Sequence, residues 1–212
     1  MKVGDAIAEI LRREGVDMVI GYPVNHVLEY AAMADIRPII VRQERTGAHM
    51  ADAISRITSG EKIGVFVCQS GPGAENTYGA IAQAYSESVP LLFMPGGYAR
   101  RLAHVGANYN STISMRDVTK SAEPLITADQ LPEVMRRAFS RLKNGRGGPC
   151  LVEIPNDIWH EEVPEPLNYR PVLRTKFGPD PAAVQQAVEL LSKAKRPVLY
   201  AGQGVHYAKA WP

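Results

Sequence analysis

Apolar runs in this 212-residue chain are short. None approaches the roughly 20 residues that a helix needs to cross a bilayer, which excludes a helical membrane span. Cysteine is scarce as well. Cys68 and Cys150 are the only two, each in an apolar, strand-like run and neither in a CxxC spacing. They read as small buried hydrophobes, which argues against redox or metal chemistry. A surplus of one charge is also missing. The 24 Lys and Arg residues nearly cancel the 22 Asp and Glu. A net charge of +2 points neither to nucleic acid nor to an anionic membrane as partner. The N-terminus runs straight into an amphipathic helix with no signal peptide, so a cytoplasmic setting is expected. What is present, 45% hydrophobic and 22% charged residues, is an ordinary globular composition. The length suits one large domain, or one domain and part of another.

Periodicity divides the chain into alternating units. Val3, Ala6, Ile7, Ile10 and Leu11 recur at helical spacing, and Gly15 is placed to end that helix. The segments 18–23, 37–42, 62–68, 90–96 and 149–155 are short and almost wholly apolar, and read as buried strands. Helices are expected between them, one with Ala48, Ala51, Ile54 and Ile57 as its apolar face and closed by Gly60. Another is expected over 129–144. About 25 polar residues after the fourth strand carry few periodic signals. Apolar strands separated by helices predict an α/β fold: a doubly wound, mostly parallel sheet with helices on both faces, over residues 1–163.

The stretch 163–181 holds five prolines in 19 residues and no periodicity. A linker is therefore expected over 164–182. A helix over 183–194 and a strand over 196–205 then read as the start of a second, central α/β domain. Thirty residues cannot close a core of their own, so the chain is expected to be part of a longer one.

In open α/β sheets, ligands bind beyond the carboxyl ends of the strands. Three segments fall there: "GYPVNH" (21–26), "RQERTG" (42–47) and "CQSGPGAEN" (68–76). The Gly71-Pro72-Gly73 turn matches neither GxGxxG nor GxxxxGK[ST], and Glu75 in the first helical turn disfavours an anion. Glu44 admits two readings. It is a helix-start carboxylate interacting with the dipole or with Arg42 or Arg45. Alternatively, a carboxylate at a strand's carboxyl end is a group held in apolar surroundings for proton chemistry. Periodicity does not separate them.

Taken in order, "GYP", "VRQERTGAHMADAISRITSG", "VFVCQSGPGAEN" and "AYSESVPLLFMPGG" resemble the pyrimidine-binding domain of thiamine diphosphate-dependent enzymes, in particular the acetolactate synthase-like group. The resemblance covers residues 1–163, and the linker and the opening of a central domain fit it too. It implies that Glu44 hydrogen-bonds N1′ of the cofactor's aminopyrimidine and prepares the cofactor to attack a substrate carbonyl. It implies a pyrimidine pocket shaped by Gly21, Pro23, Gly71, Pro72, Gly73 and Asn76. Asn76 is left with two roles, a local hydrogen bond or a helix cap. Asn25, His26, Gln69, Asn108 and Tyr109 stand as possible substrate-side groups, with an exposed helix start as the other reading of His26 and Asn25.

The resemblance implies a 2-oxo acid or related carbonyl compound as substrate. It also implies a homo-oligomer, dimer or tetramer, with the site at a subunit interface. The family's Gly-Asp-Gly anchor for Mg²⁺ and the diphosphate does not occur in this sequence, so no metal site is assigned. In the family that anchor belongs to the C-terminal domain, which leaves this chain expected to be inactive alone. Flavin or nucleotide binding by a central domain stays open. Departures are Gln43, where His is common, and the absence of the Phe-Gln pair of acetolactate synthases from "NYNSTISMRD" (108–117). A decarboxylase, lyase or carboligase is equally compatible. The alternatives are a non-catalytic α/β binding module and one subunit of a two-chain enzyme.

Overall fold

The computed structural model describes residues 1–211. The chain runs α1 (Val3–Arg13), β1 (Met18–Gly21), α2 (Val27–Met33), β2 (Arg37–Ile40), α3 (Glu44–Ile57), β3 (Gly64–Cys68), α4 (Pro72–Ser86) and β4 (Leu91–Gly97). It continues through α5 (Ser111–Ser114), β5 (Ser121–Pro124), α6 (Leu131–Lys143), β6 (Cys150–Pro155), α7 (Pro181–Lys193) and α8 (Gly204–Ala208). The six strands pair in parallel in the order β2-β1-β3-β4-β6-β5. This is the doubly wound sheet predicted from the apolar strands. The order reverses between β1 and β3, so a crevice opens beyond their carboxyl ends, where such folds take ligands.

The two-residue period of a strand sends its side chains to two separate cores. Val65 and Val67 face one layer with α1, α2 and α6, while Phe66 and Cys68 face the other with α3 and α4. Phe66 and Phe93 stack there with ring centroids 5.8 Å apart. The two cysteines fall on opposite faces, Cys68 in the α3/α4 layer and Cys150 in the other, and both thiols are free. Gly15 and Gly60 end their helices with φ of 82° and 74°, as their positions predicted.

Four expectations change. A sixth strand, β5, lies in the polar stretch that has no periodic signal. It is an edge strand of sequence Ser-Ala-Glu-Pro, paired with β6 from Ser121↔Cys150 to Pro124↔Glu153. The predicted strand over 196–205 does not form. Val198, Leu199 and Tyr200 are 90%, 77% and 99% exposed and pair with no strand among the described residues. An apolar run becomes a strand only where a neighbour takes its backbone groups and covers its side chains. The inner face of α3 is not the all-apolar stripe predicted, since Ile57 is exposed and Asp52 and Ser55 are buried instead. Finally, Leu167 and Tyr169, in the proline-rich stretch, are buried in the core beside α1 and α6.

The buried polar groups of α3 are satisfied. Asp52 accepts from Arg56 Nε at 2.9 Å and from Nη2 at 3.2 Å, and Ser55 Oγ donates to the Pro90 carbonyl and accepts from Gly64 N at 2.7 Å. These contacts fix α3 against β3 and β4, and with it the side chain at its first turn.

Among the described residues, no helix is long and apolar enough to cross a membrane. Among the described residues, no group of three or more His, Cys, Asp or Glu is placed to hold a metal ion.

Candidate active site at the carboxyl rim

Glu44 opens α3 immediately beyond the end of β2 and is 8% exposed. Gly47, one turn on, explains how it is brought in. A Cβ there would lie 2.5 Å from the Phe66 ring and 2.8 Å from Val41, so only glycine lets the first turn of α3 settle on β3. Neither Arg42 nor Arg45 pairs with Glu44, and both side chains point outward. Its partner is Asn76, on α4, whose Nδ2 donates to Oε2 at 2.7 Å. The other oxygen, Oε1, has no hydrogen-bond partner among the described residues. Gln43 occupies the N-cap with extended backbone and makes no side-chain cap hydrogen bond; its Oε1 accepts instead from Thr46 Oγ1 at 2.6 Å. Pairing with Arg42 or Arg45 is thereby removed, while Glu44 keeps its place in the first turn of α3.

The turn after β3 faces the same crevice. Gly71 has φ +61°, a conformation that side chains rarely adopt, and a Cβ on it would lie 2.6 Å from the Tyr98 hydroxyl. Pro72 starts α4 at a position where its missing N–H costs nothing. Gly73 lies under Gln69, whose Cγ is 2.7 Å from the place of a Cβ. Cys68 closes the strand below. Burial pushes its thiol well above the ordinary range, and the charge of Glu44 adds to the shift. A neutral thiol therefore forms part of the apolar floor near Glu44.

The remaining predicted residues divide. Gly21 is buried at the end of β1, where a Cβ would meet Val67 at 2.5 Å and Leu28 at 2.8 Å, so its glycine serves packing. Pro23 is exposed in the following turn, and Val24 beside it has φ +77°. Asn25 is not turned outward as an exposed helix start would be. Its Nδ2 donates to the carbonyls of Cys68 (2.8 Å) and Met94 (3.3 Å), and its Oδ1 accepts from Val27 N at 3.0 Å. With both ends of the amide engaged, Asn25 braces the first loop onto β3 and β4. His26 is exposed at the start of α2, with its ring centroid 5.1 Å from that of Trp159.

Asn108 and Tyr109 stand at a different place on the rim. With Tyr98, Asn110 and Glu153 they line a cavity of about 20 Å³, the size of one water. Asn108 donates to the Leu102 carbonyl at 3.0 Å, and burial raises the Tyr109 hydroxyl above its ordinary value. Tyr98 touches both this cavity and the Gly71 turn, which links the two parts of the rim. Sequence reasoning passed over Tyr98 and Glu153. Tyr98 has no sequence signal. Glu153 has one, being the lone charge inside the apolar run "PCLVEIP".

Glu153 yields a pH prediction. Burial raises its carboxyl above the ordinary range, although the Ser111 hydroxyl donates to it and opposes the shift. The folded state thus holds this proton more tightly than the unfolded chain, and the group's contribution to stability falls as pH rises from the unfolded value through the folded one. Glu153→Gln removes that contribution. Thermal unfolding followed from about pH 4 to 7 is expected to show the variant gaining on the parent as pH rises. Parallel curves for parent and variant would exclude this role.

Residues 1–120 match the family described as thiamine pyrophosphate enzyme, N-terminal TPP binding domain. The chain is 32% identical over 221 residues to an acetolactate synthase of Arthrospira platensis, covering 97% of this chain and 38% of that protein. It is 33% identical over 214 residues to the chloroplastic acetolactate synthase 3 of Brassica napus, with 96% and 32% covered. It is 34% identical over 218 residues to a probable acetolactate synthase large subunit of Methanocaldococcus jannaschii, with 97% and 36% covered. The chain spans about a third of the length of these curated relatives. These likenesses favour an enzyme domain over a non-catalytic α/β binding module. Its sheet, its rim and 120 matched residues agree: the chain belongs to the thiamine pyrophosphate enzymes, through their N-terminal TPP binding domain.

Proposed function

We propose that this chain supplies the aminopyrimidine half of a thiamine diphosphate site in an enzyme that cleaves or forms a carbon–carbon bond beside a carbonyl, with a 2-oxo acid as substrate class. The observation that carries this reading is the Glu44–Asn76 pair. A buried carboxyl has one oxygen held by an amide at 2.7 Å and the other free for a ligand nitrogen. That donor set fits a planar heterocycle bearing a ring nitrogen, and the Gly71 turn allows backbone to approach its face.

The cofactor, when bound, supplies the nucleophile and the electron sink. The chain's own residues do the rest. Glu44 Oε1 faces the ring nitrogen and exchanges a proton with it, Asn76 fixes the carboxyl plane, and the Cys68 floor keeps water from competing. Mg²⁺ and the diphosphate are held outside this chain's assigned residues, and a partner subunit covers the rim in a dimer or tetramer. Asn25 acts as a brace; Gln69 and Tyr109 remain the substrate-side candidates.

The test is turnover of a panel of 2-oxo acids by the full-length protein, with and without thiamine diphosphate and Mg²⁺. Cofactor-dependent consumption of at least one acid is expected, and none at all would sink the proposal. Asn76→Ala adds a finer check. Since Asn76 acts through Glu44, kcat should fall by about tenfold, less than the ~10²–10⁴-fold of a positioned proton-transfer group itself, with little change in KM.

A further inference from the structure

The loop between β1 and α2 is tied down across the crevice that holds Glu44. Tyr22 N donates to the Val67 carbonyl at 3.1 Å. Asn25 Nδ2 donates to the carbonyls of Cys68 and Met94, so the loop lies over the carboxyl ends of β3 and β4. Cys68 is near enough to Glu44 for that charge to act on its thiol. Between the two tethers stands Val24, with φ +77°.

That value lies in the left-handed region, which glycine enters freely and where a β-branched residue is an outlier. Four other non-glycine residues have positive φ: Asp35, Ser59, Ser88 and Lys209. All four are polar, and each follows directly on the end of a helix, where left-handed backbone is an ordinary ending. Val24 is apolar and comes before a helix. Its neighbours over-determine it. Pro23 has a fixed φ, and both ends of the Asn25 amide are engaged, Oδ1 by Val27 N at 3.0 Å. No packing offsets the strain, since Val24 is 79% exposed and belongs to neither core. Strained residues held in this way concentrate at ligand sites. The other side chains that meet at this crevice, Glu44, Asn76 and Gln69, are polar, and Val24 adds an exposed apolar group beside them.

We propose that Val24 sets the size limit of the substrate. Its isopropyl group packs against the substituent beside the reacting carbonyl, so that 2-oxo acids with short side chains are accepted and bulky ones are excluded. This role rests on the thiamine diphosphate reading above and adds to it the substrate class, short-chain 2-oxo acids.

The experiment is steady-state kinetics of the full-length protein, Val24→Gly and Val24→Leu on pyruvate and phenylglyoxylate, with thiamine diphosphate and Mg²⁺ and with melting curves alongside. The parent should prefer pyruvate. In Val24→Gly the ratio of kcat/KM for phenylglyoxylate to that for pyruvate should rise at least about tenfold, since a single methylene in an apolar pocket is worth roughly 10–200-fold. Its Tm should stay level or rise, because glycine takes positive φ without steric cost. Val24→Leu should move the ratio the other way. A parent that turns over while both variants keep its ratio overturns the size limit and leaves the cofactor reading standing. A loss in Val24→Gly that is equal for both acids overturns it too, and assigns Val24 to contact with the cofactor or a partner subunit. No cofactor-dependent turnover of any 2-oxo acid by the parent overturns both.

Discussion

Replacing Glu44 with glutamine in the full-length protein is expected to cost about two orders of magnitude or more in kcat, the range of a positioned proton-transfer group. Glutamine keeps the shape and can still accept from Asn76 Nδ2, so the packing around the first turn of α3 survives. What it removes is a transferable proton: the amide N–H that takes the place of Oε1 can donate to the ring nitrogen but cannot pass its proton on. Thermal stability should therefore stay within roughly 1 kcal/mol of the parent while turnover collapses. The measurement is steady-state kinetics on the best 2-oxo acid of the panel, with melting curves alongside. A fully active variant would return Glu44 to the role of a helix-start carboxylate and would falsify the proposed mechanism. A variant that melts much earlier than the parent would instead assign Glu44 to the fold.

The largest effect on stability is expected from Gly64→Ala. A Cβ on Gly64 would lie 1.9 Å from the Ala51 carbonyl oxygen and 2.6 Å from its carbon, both backbone atoms of α3. Backbone cannot turn aside as a side chain does, so the helix must lift from the strand. The Gly64 N–H to Ser55 Oγ bond would stretch, and Ser55's bond to the Pro90 carbonyl with it. Overpacking of this kind costs about 1–3 kcal/mol and more where relaxation is blocked, so a fall in Tm of roughly 2–12 °C follows for a domain of this size. Because α3 carries Glu44 at its first turn, cofactor affinity should drop in the same variant. A Tm unchanged from the parent would contradict the close approach of α3 and β3.

Much of this was legible in the sequence, and the limits follow from the physics of particular residues. Segments such as "GVFVC" announce themselves because a strand buried on both faces must be apolar throughout. Edge strand β5 is invisible for the converse reason: Ser-Ala-Glu-Pro is half exposed, and pairing with β6 rather than propensity makes it a strand. The run 196–205 failed in the opposite direction, having strand composition without a neighbour. At the site, ordered motifs pointed to Glu44 and to the Gly71 turn. The Asn76–Glu44 bond is a contact across 32 positions, which no local pattern encodes. Asn25 was readable as polar but not as buried, since its partners are main-chain carbonyls and leave no trace in side-chain chemistry.

The distribution of the two thiols, one in each layer of the fold, makes the protein its own reporter of breathing. Both are shielded, and burial is the largest reason that each is held as the neutral, unreactive form. A maleimide therefore reaches Cys68 only when α3 or α4 parts from the sheet, and reaches Cys150 only when the opposite layer does. Layers that open as separate cooperative units give two alkylation rates, and a sheet that opens as one unit gives a single shared rate. The comparison reads out how independently the layer carrying Glu44 moves.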